Sequence, residues 1–390
     1  MSMNKICIVT ATRAEYGVLR NLIKKIDHDP ELQLCLLVTG THLSQIYGNT
    51  KQEILDDGIT ITQEIPILDQ SVGELGVLRT MGNAMYAFAE AFRKHQPDML
   101  LVVGDRYELL PICEAAMIWK IPITHVSGGE LTEGIIDDVV RHCVTKMSLL
   151  HFPACETYRK RIIQLGEQPE RVFNYGDIGV ENLITMEYMN REELEKSINF
   201  ELKTPYVCVT FHPVTLEKQS PIKQIQELLN AIEQFSNLNF IFTGSNADAG
   251  GEVINERIYE YVEHHSNCVF YHSLGIKRYL SLLKYSEMII GNSSSGIIEA
   301  PSLKIPTVNI GNRQGGRLKA DSVIDCRCTC KEIKIAIDNA MTEEFKKKAL
   351  KTINPYGNGK TSDGIIKEIK KFLANNHGVV KKFYDVEFHI

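Results

Sequence analysis

Short apolar runs alternate with amphipathic stretches along nearly the whole chain. In the first half the apolar runs predict strands at 6–10, 34–38, 99–103, 121–126, near 150 and at 171–174, and helical spacing fills the intervals at 18–26, 77–94, 109–119 and 139–148. The alternation restarts with strands at 206–211, 239–243, 268–271, 287–290 and 307–310, and a last helix covers 362–374. This pattern is typical of parallel sheets with helices on both faces.

A polar, charged stretch between 186 and 204, which ends at Pro205, interrupts this alternation. We therefore predict an α/β protein with two doubly wound, Rossmann-like domains, 1–188 and 189–374, facing a cleft. The tail 375–390 is expected to pack back on the first domain. Because open α/β sheets bind ligands at the carboxyl ends of their strands, the loops that follow the strands are the candidate site.

Composition and charge disfavour several classes of binding partner. The 390 residues are 44% hydrophobic and 24% charged with a net charge of -6, which gives no electrostatic reason to expect nucleic acid or a membrane as partner. No export signal or membrane-length apolar run is visible, so the ten cysteines are expected to be reduced in a cytoplasm. A zinc site at Cys326, Cys328 and Cys330 is disfavoured because their spacing is not C-x-x-C. No metal or cofactor is expected.

The segment 291–296, Gly-Asn-Ser-Ser-Ser-Gly, follows a predicted strand and precedes a predicted helix that contains Glu299. Small residues let backbone approach an anion, and hydroxyl groups, free N–H groups and the helix dipole favour negative charge. A plain helix N-cap also uses Ser and Asn. Since three hydroxyls exceed what capping requires, an anion site built by Ser293, Ser294 and Ser295 is the favoured interpretation.

Charged residues follow the strands of the first domain. Arg13 lies in the first strand-to-helix turn, where the glycines of G-x-G-x-x-G are absent, which disfavours NAD and favours a cation that meets a phosphate or sugar. Asp105 and Arg106 follow another strand, where charged groups more often bind ligands or take part in catalysis; a structural ion pair is the alternative. Further carboxylates suited to acid–base work are Glu130, Asp137 and Asp138, although the helix dipole alone could explain the last two.

In the second domain, His212 ends the first strand and precedes a proline, which favours exposure to the cleft over burial in the core. Three residues after later strands could contact a nucleotide base or ribose, or simply form turns: Asn246, Asp248 and His272. Arg313 follows the last predicted strand.

Together these motifs resemble the UDP-N-acetylglucosamine 2-epimerases, and more closely the hydrolysing branch that feeds sialic acid and surface or capsule polysaccharide synthesis. The resemblance covers nearly the whole chain, from 12–16 and 104–106 through 128–130, 137–142, 211–215 and 246–250 to 291–296 and 311–314. It implies a glycosyltransferase-B-like fold and a homodimer through the first domain, or a dimer of dimers.

The resemblance also implies a reaction in which UDP is eliminated across C1 and C2 and water is added to the glycal, which gives N-acetylmannosamine. Carried over by position, the UDP would be held by His212, Ser293, Ser294, Glu299 and Arg313, with Glu299 on the ribose. The sugar would be surrounded by Arg13, Asp105, Arg106, Glu130, Asp137 and Asp138. The proton transfers at C2 are assigned to Asp105 and Asp138, with Glu130 in support and their order left open.

Ser127 departs from the resemblance, since many relatives have Glu there. A neighbouring carboxylate must then replace that acid, or the substrate is the UDP-linked 2,4-diacetamido-2,4,6-trideoxyglucose of the legionaminic acid route. A retaining glycosyltransferase shares the expected fold but requires an acceptor and leaves the C2 hydrogen in place. A nucleotide-sugar sensor would release no UDP.

Overall fold

The computed structural model describes residues 3–45, 48–71, 73–132, 136–203, 205–213, 219–245, 251–375 and 380–387. The chain divides into two compact units, the first being Met1–Asn182 with Tyr356–Ile390 and the second Leu183–Pro355. The strands are β1 (Asn4–Thr10), β2 (Leu32–Thr39), β3 (Gln63–Ile65), β4 (Met99–Val103), β5 (Ile123–Val126), β6 (Leu150–Phe152), β7 (Tyr206–Thr210), β8 (Asn239–Thr243), β9 (Cys268–Tyr271), β10 (Ile289–Gly291), β11 (Thr307–Ile310) and β12 (Val323–Cys326).

The helices between these strands follow the same chain order. They are α1 (Arg13–Asp27), α2 (Lys51–Asp56), α3 (Glu74–His95), α4 (Leu109–Ile118), α5 (Ile136–Met147), α6 (Glu156–Gln164), α7 (Ile178–Thr185), α8 (Arg191–Ile198), α9 (Pro221–Ile232), α10 (Gly251–Glu263), α11 (Gly275–Lys284), α12 (Ser295–Ile298), α13 (Ala300–Leu303), α14 (Cys330–Ala340), α15 (Glu343–Lys351) and α16 (Thr361–Ala374).

Each unit is built on one six-stranded parallel sheet with the same topology. The orders are β3-β2-β1-β4-β5-β6 and β12-β11-β10-β7-β8-β9, so that both sheets read 3-2-1-4-5-6 within their own unit. Strands such as β4 and β7 are buried along their full length because helices cover both faces. The predicted α/β class with two doubly wound sheets is therefore confirmed, and the order of strands reverses between β1 and β4 and between β7 and β10.

Several element bounds differ from the predictions for local reasons. Helix α1 begins at Arg13 rather than 18 because Thr12 and Glu15 form a capping box: the Thr12 hydroxyl accepts from the Glu15 N–H at 3.3 Å, and Glu15 Oε2 accepts from the Thr12 N–H at 3.1 Å. The predicted strand at 171–174 is a 3-10 turn followed by a single bridge between Val172 and His151. The short edge strands β3 and β12 were not predicted.

Helix α16 belongs to the first unit, whereas the predicted boundary of 189–374 placed it in the second. Its buried face carries Ile365, Ile369 and Phe372 into the same core cluster as Leu19 and Ile23 of α1. Its apolar spacing predicted the helix correctly but could not identify the core that it joins.

The tail residues 380–387 also contact the first unit. The Lys381 ammonium donates to the Ser148 carbonyl at 2.7 Å, and the Tyr384 N–H donates to the Gly166 carbonyl at 2.9 Å. The Phe383 ring lies 4.9 Å from the Lys146 ammonium.

Two helix-interior glycines offer a matched test of this packing. A Cβ at Gly364 in α16 would lie 2.4 Å from the Tyr175 ring, whereas a Cβ at the exposed Gly82 in α3 would meet nothing within 4 Å. We expect Gly364→Ala to lower the free energy of unfolding by about 1–3 kcal/mol through overpacking. Gly82→Ala should raise it by about 0.5–1 kcal/mol through helix propensity. Urea denaturation measures both, and equal signs for the two changes would contradict this packing.

Candidate active site

In both units, some of the candidate residues lie where the strand order reverses. In the first unit, Arg13 follows β1 and Asp105 follows β4; in the second, His212 follows β7 and the loop 292–294 follows β10. Neighbouring strands with connections that run in opposite directions leave a crevice at their carboxyl ends, where open α/β sheets bind ligands. Each unit therefore presents its candidate side chains at its own binding edge.

Arg141 on α5 gathers the candidate carboxylates of the first unit. It is 5% exposed, forms a salt bridge with Asp105, and its Nη1 lies 3.3 Å from Asp138 Oδ1. The same Nη1 donates to the Glu130 carbonyl at 2.9 Å. One guanidinium thus holds side chains or backbone of three predicted site residues, although Arg141 was not itself a predicted site residue.

Asp137 and Asp138 are adjacent in the chain but differ in their surroundings. Asp138 Oδ1 accepts from the Thr132 N–H at 2.7 Å, and its Oδ2 lies 3.5 Å from His142 Nε2. Partial burial, and secondly the charge of Asp105, raise the pKa of Asp137 above its ordinary value. Asp137 is therefore the candidate in this group that is best suited to hold a proton.

Arg106 lies beside two buried acids that were not predicted site residues. Its Nε donates to Glu108 Oε1 at 2.6 Å, and Glu108 is 2% exposed. Burial raises the pKa of Glu15 to about 7, against the opposing effect of a hydrogen bond from the Ala11 N–H at 2.6 Å. Arg106 is thus held by a buried acid, while Arg13 stays exposed at the first residue of α1.

Two of the three buried histidines of the first unit, His42 and His125, predict a pH dependence of stability, and burial also lowers the pKa of the third, His151. Burial lowers the pKa of His42 to about 4 and that of His125 to about 3, so their contribution is complete above the ordinary value near 6.5 and is lost as the pH falls. Glu15 acts in the opposite sense. Because its pKa is raised, its contribution to the free energy of unfolding is lost as the pH rises toward 7.

From His42, His125 and Glu15 we expect the free energy of unfolding to fall by roughly 1.4 kcal/mol per unit between pH 6 and 5, which is a net uptake of about one proton on unfolding. Glu15→Gln removes the opposing group and should steepen the fall to about two protons. Urea midpoints at several pH values measure this. A midpoint that does not change between pH 7 and 5 would contradict the prediction.

Asn292 has the corresponding organising position in the second unit. Its side chain is buried and contacts His212 twice: Oδ1 accepts from the His212 N–H at 2.7 Å, and Nδ2 donates to the His212 carbonyl at 2.8 Å. Its backbone carbonyl accepts from Arg313 Nη1 at 3.2 Å and from Gln314 Nε2 at 2.8 Å. The ends of β7, β10 and β11 are joined through this one residue, which was not among the predicted site residues.

The segment 291–296 was predicted to lead into a helix that contains Glu299, whereas Glu299 lies between two one-turn helices. Gly291 has φ +136° and a Cβ there would lie 1.9 Å from the Thr210 carbonyl oxygen, so only glycine fits. Helix α12 is a single turn, and the N–H groups of Gly296 and Ile297 already donate to the carbonyls of Ser293 and Ser294. An anion would therefore depend on the serine hydroxyls more than on a helix dipole, which needs a longer helix.

The remaining candidates lie at neighbouring strand ends. His212 Nδ1 is 3.3 Å from the Ser245 hydroxyl after β8, and His272 after β9 is exposed with its ring edge-on to Phe270 at 4.8 Å. Glu299 lies between α12 and α13. Asn246 and Asp248 lie outside the described residues.

The cysteines form no disulfide, and all ten are free. Among the residues that the structure describes, no group of three or more His, Cys, Asp or Glu side chains is arranged to hold a metal ion. Cys326 ends β12 while Cys330 begins α14. None of the helices within the described ranges is long and apolar enough to cross a membrane.

Two doubly wound sheets with polar groups at their reversal points are typical of α/β enzymes that bind nucleotides. Comparison with known sequences gives the family: the chain belongs to the UDP-N-acetylglucosamine 2-epimerases, whose family profile matches residues 24–370.

Two curated relatives match almost end to end. The GDP/UDP-N,N'-diacetylbacillosamine 2-epimerase (hydrolyzing) of Campylobacter jejuni is 42% identical over 89% of this chain and 90% of its own. The polysialic acid biosynthesis protein P7 of Escherichia coli is 40% identical over 98% of both chains. The solved UDP-GlcNAc 2-epimerase of Neisseria meningitidis bound to UDP-GlcNAc shares the fold, with TM-score 0.75 at 17% identity over 94% of this chain and 100% of that one.

Proposed function

We propose that this chain is a hydrolysing UDP-sugar 2-epimerase that converts UDP-N-acetylglucosamine and water into UDP and N-acetylmannosamine. The observation that carries the proposal is the carboxylate group around Arg141, where Asp105 and Asp138 share one guanidinium and Asp137 has a raised pKa. Epimerisation at C2 needs a base to remove one proton and an acid to supply another. Asp105 and Asp138 are candidates for the base, and Asp137 is the candidate for the acid.

The proposed reaction has two steps, an elimination and a hydration. A carboxylate removes the C2 hydrogen as a proton, the C1–O bond to UDP breaks, and its electron pair leaves on the diphosphate oxygen, which gives a glycal and UDP. Water then adds its oxygen to C1 while a proton reaches C2 from the opposite face. Net consumption of one water releases the free 2-epimeric amino sugar.

The two units divide this work in the proposal. The departing diphosphate gains negative charge, which Arg313 and the hydroxyls of Ser293, Ser294 and Ser295 would stabilise, with Glu299 and His212 beside the nucleoside. His272 lies at the same edge of the sheet. The sugar is assigned to Arg13, Arg106, Glu130 and the Arg141 carboxylates, and Asp137, with its raised pKa, is assigned the role of proton donor.

A second substrate has comparable support. The Campylobacter jejuni relative is named for N,N'-diacetylbacillosamine, whereas the name of the Escherichia coli relative refers to polysialic acid. UDP-2,4-diacetamido-2,4,6-trideoxyglucose therefore remains the alternative to UDP-N-acetylglucosamine. Both substrates share the diphosphate and the C2 acetamido group, so the same residues serve either reaction.

The deciding experiment incubates the protein with each UDP-sugar alone in deuterated water. The proposal expects UDP and a free amino sugar of inverted configuration that carries deuterium at C2, and the sugar with the higher kcat/KM identifies the substrate. Release of UDP without deuterium at C2 would point to glycosyl transfer to water and would overturn the epimerase assignment. The absence of turnover with both sugars would also overturn it.

A homodimer through the first unit is part of the proposal. Large apolar side chains are exposed on α3 and at the end of α4, including Leu78, Tyr86 and Ile118 at 64%, 80% and 76%. Large exposed apolar side chains favour association when they are neighbours. Light scattering should give at least twice the 44.1 kDa chain mass, and a mass of one chain at micromolar concentration would contradict it.

A further inference from the structure

We propose that His125 is a positioning residue that fixes the three carboxylate-bearing segments of the first unit relative to one another. The expected effect on the reaction rate rests on the proposed function, whereas the structural role rests on the contacts of the imidazole. His125 contacts no candidate substrate group itself; it acts through the backbone and helix that carry Asp105, Glu130, Asp137 and Asp138.

The imidazole of His125 bridges two segments. It is fully buried at the end of β5, with Nε2 2.8 Å from the Gly104 carbonyl oxygen and Nδ1 3.1 Å from the Thr145 hydroxyl. Gly104 directly precedes Asp105, and Thr145 lies on α5, the helix that carries Asp137, Asp138 and Arg141. One ring therefore connects the turn after β4 with the helix that supplies the other carboxylates.

The two contacts determine the tautomer. A carbonyl oxygen can only accept, so Nε2 carries the hydrogen and Nδ1 accepts from the Thr145 hydroxyl. Burial lowers the pKa of His125 to about 3, and the nearby His151, Arg141 and His142 further disfavour its positive charge. The ring therefore stays neutral at the pH of any ordinary assay, and both hydrogen bonds persist.

The third segment packs directly on this bridge. A Cβ at Gly128 would lie 2.9 Å from His125 Nδ1 and 2.9 Å from the Thr145 hydroxyl oxygen. Only a glycine backbone can approach so closely, and this backbone leads two residues on to Glu130. The Glu130 carbonyl in turn accepts from Arg141 at 2.9 Å, which closes the connection back to α5.

Loss of the imidazole should affect the rate more than the binding of nucleotide. Without Nε2 the partly buried Gly104 carbonyl loses its donor, so the turn that presents Asp105 is free to shift. Misplacement of a reacting group by about 1 Å can cost on the order of 100-fold in rate. UDP is assigned to the second unit, so the affinity for UDP should stay unchanged when the rate falls.

Four variants test the idea in two matched pairs. His125→Phe keeps the ring volume but removes both hydrogen bonds, whereas His125→Gln retains an N–H that can reach the Gly104 carbonyl. Thr145→Val removes only the hydroxyl at almost constant shape, and Thr145→Ser restores it. If His125→Phe fails to fold, the two Thr145 variants still test the proposal.

We expect kcat to fall roughly 100-fold in His125→Phe and about 10-fold in Thr145→Val, with KM and the Kd for UDP within about 2-fold of wild type. His125→Gln and Thr145→Ser should recover most of the loss. The pH midpoint of kcat/KM should also move in His125→Phe, because the distance between Asp105 and Asp137 helps to set the pKa of Asp137. A kcat that falls only in proportion to the folded fraction, with an unmoved midpoint, would overturn the proposal.

Backbone hydrogen exchange separates this proposal from the proposed function. If the wild-type chain turns over neither UDP-sugar, the proposed function has failed, but faster exchange at 104–108 and 136–147 in His125→Phe and Thr145→Val would still support the positioning role. Unchanged exchange in those segments in both variants would overturn it whatever the activity. Thr145→Ser serves as the control with a retained hydroxyl.

Discussion

Asp105→Asn is expected to abolish turnover while UDP binding stays intact. The amide oxygen can still accept from Arg141, so the local fold is preserved, but the side chain can no longer remove or return the C2 proton. Acid–base groups contribute about 100- to 10,000-fold in rate, and we expect kcat to fall within or beyond that range. UDP release under substrate saturation measures kcat, and calorimetry with UDP measures binding.

Asp338→Asn gives the matched control. Asp338 is an exposed aspartate on α14 that pairs only at the surface with Lys334, and its replacement should leave kcat unchanged within about 2-fold. If Asp105→Asn kept more than a tenth of wild-type kcat, Asp105 would be removed from the proton transfers. The base would then have to be sought at Asp138.

The positions of the catalytic candidates could be predicted because parallel sheets present their strand ends at one edge. Asp105 and His212 each lie two residues after a strand, β4 and β7 respectively, so apolar runs of strand length were enough to place them. The same reasoning found β4, β8, β9 and β11 with their observed bounds. These features depend on local sequence, so one sequence was enough to predict them.

The residues that join those strand ends could not be predicted in the same way. Arg141, Asn292 and His125 lie in ordinary helix, loop and strand contexts, and their roles arise mainly from partners between 11 and 80 residues away in the chain. The spacing of an arginine three residues after Asp138 on a predicted helix was the one signal available in the sequence. Helix α16 was misassigned for a related reason, since the core it enters is formed by α1 at the other end of the chain.

Arg313→Ala is expected to weaken UDP binding about 10- to 100-fold, which corresponds to roughly 1.4–2.7 kcal/mol. Arg313 contacts the loop 291–296 through its hydrogen bond to the Asn292 carbonyl. Gln314 donates to that same carbonyl at 2.8 Å, so the loop keeps one of these two contacts when Arg313 is removed. The loss should therefore report the missing charge rather than a collapsed loop.

Calorimetric titration with UDP at two ionic strengths checks this, using Arg327→Ala and Arg313→Lys for comparison. Arg327 is an arginine of the same unit whose side chain is 84% exposed, so its removal should leave the UDP affinity unchanged. Arg313→Lys keeps the charge but loses the planar fork that binds phosphate through two N–H groups, and should give an intermediate affinity. Equal UDP affinity in Arg313→Ala and wild type would remove Arg313 from the diphosphate site and leave the serine hydroxyls, with His212, as its remaining candidates.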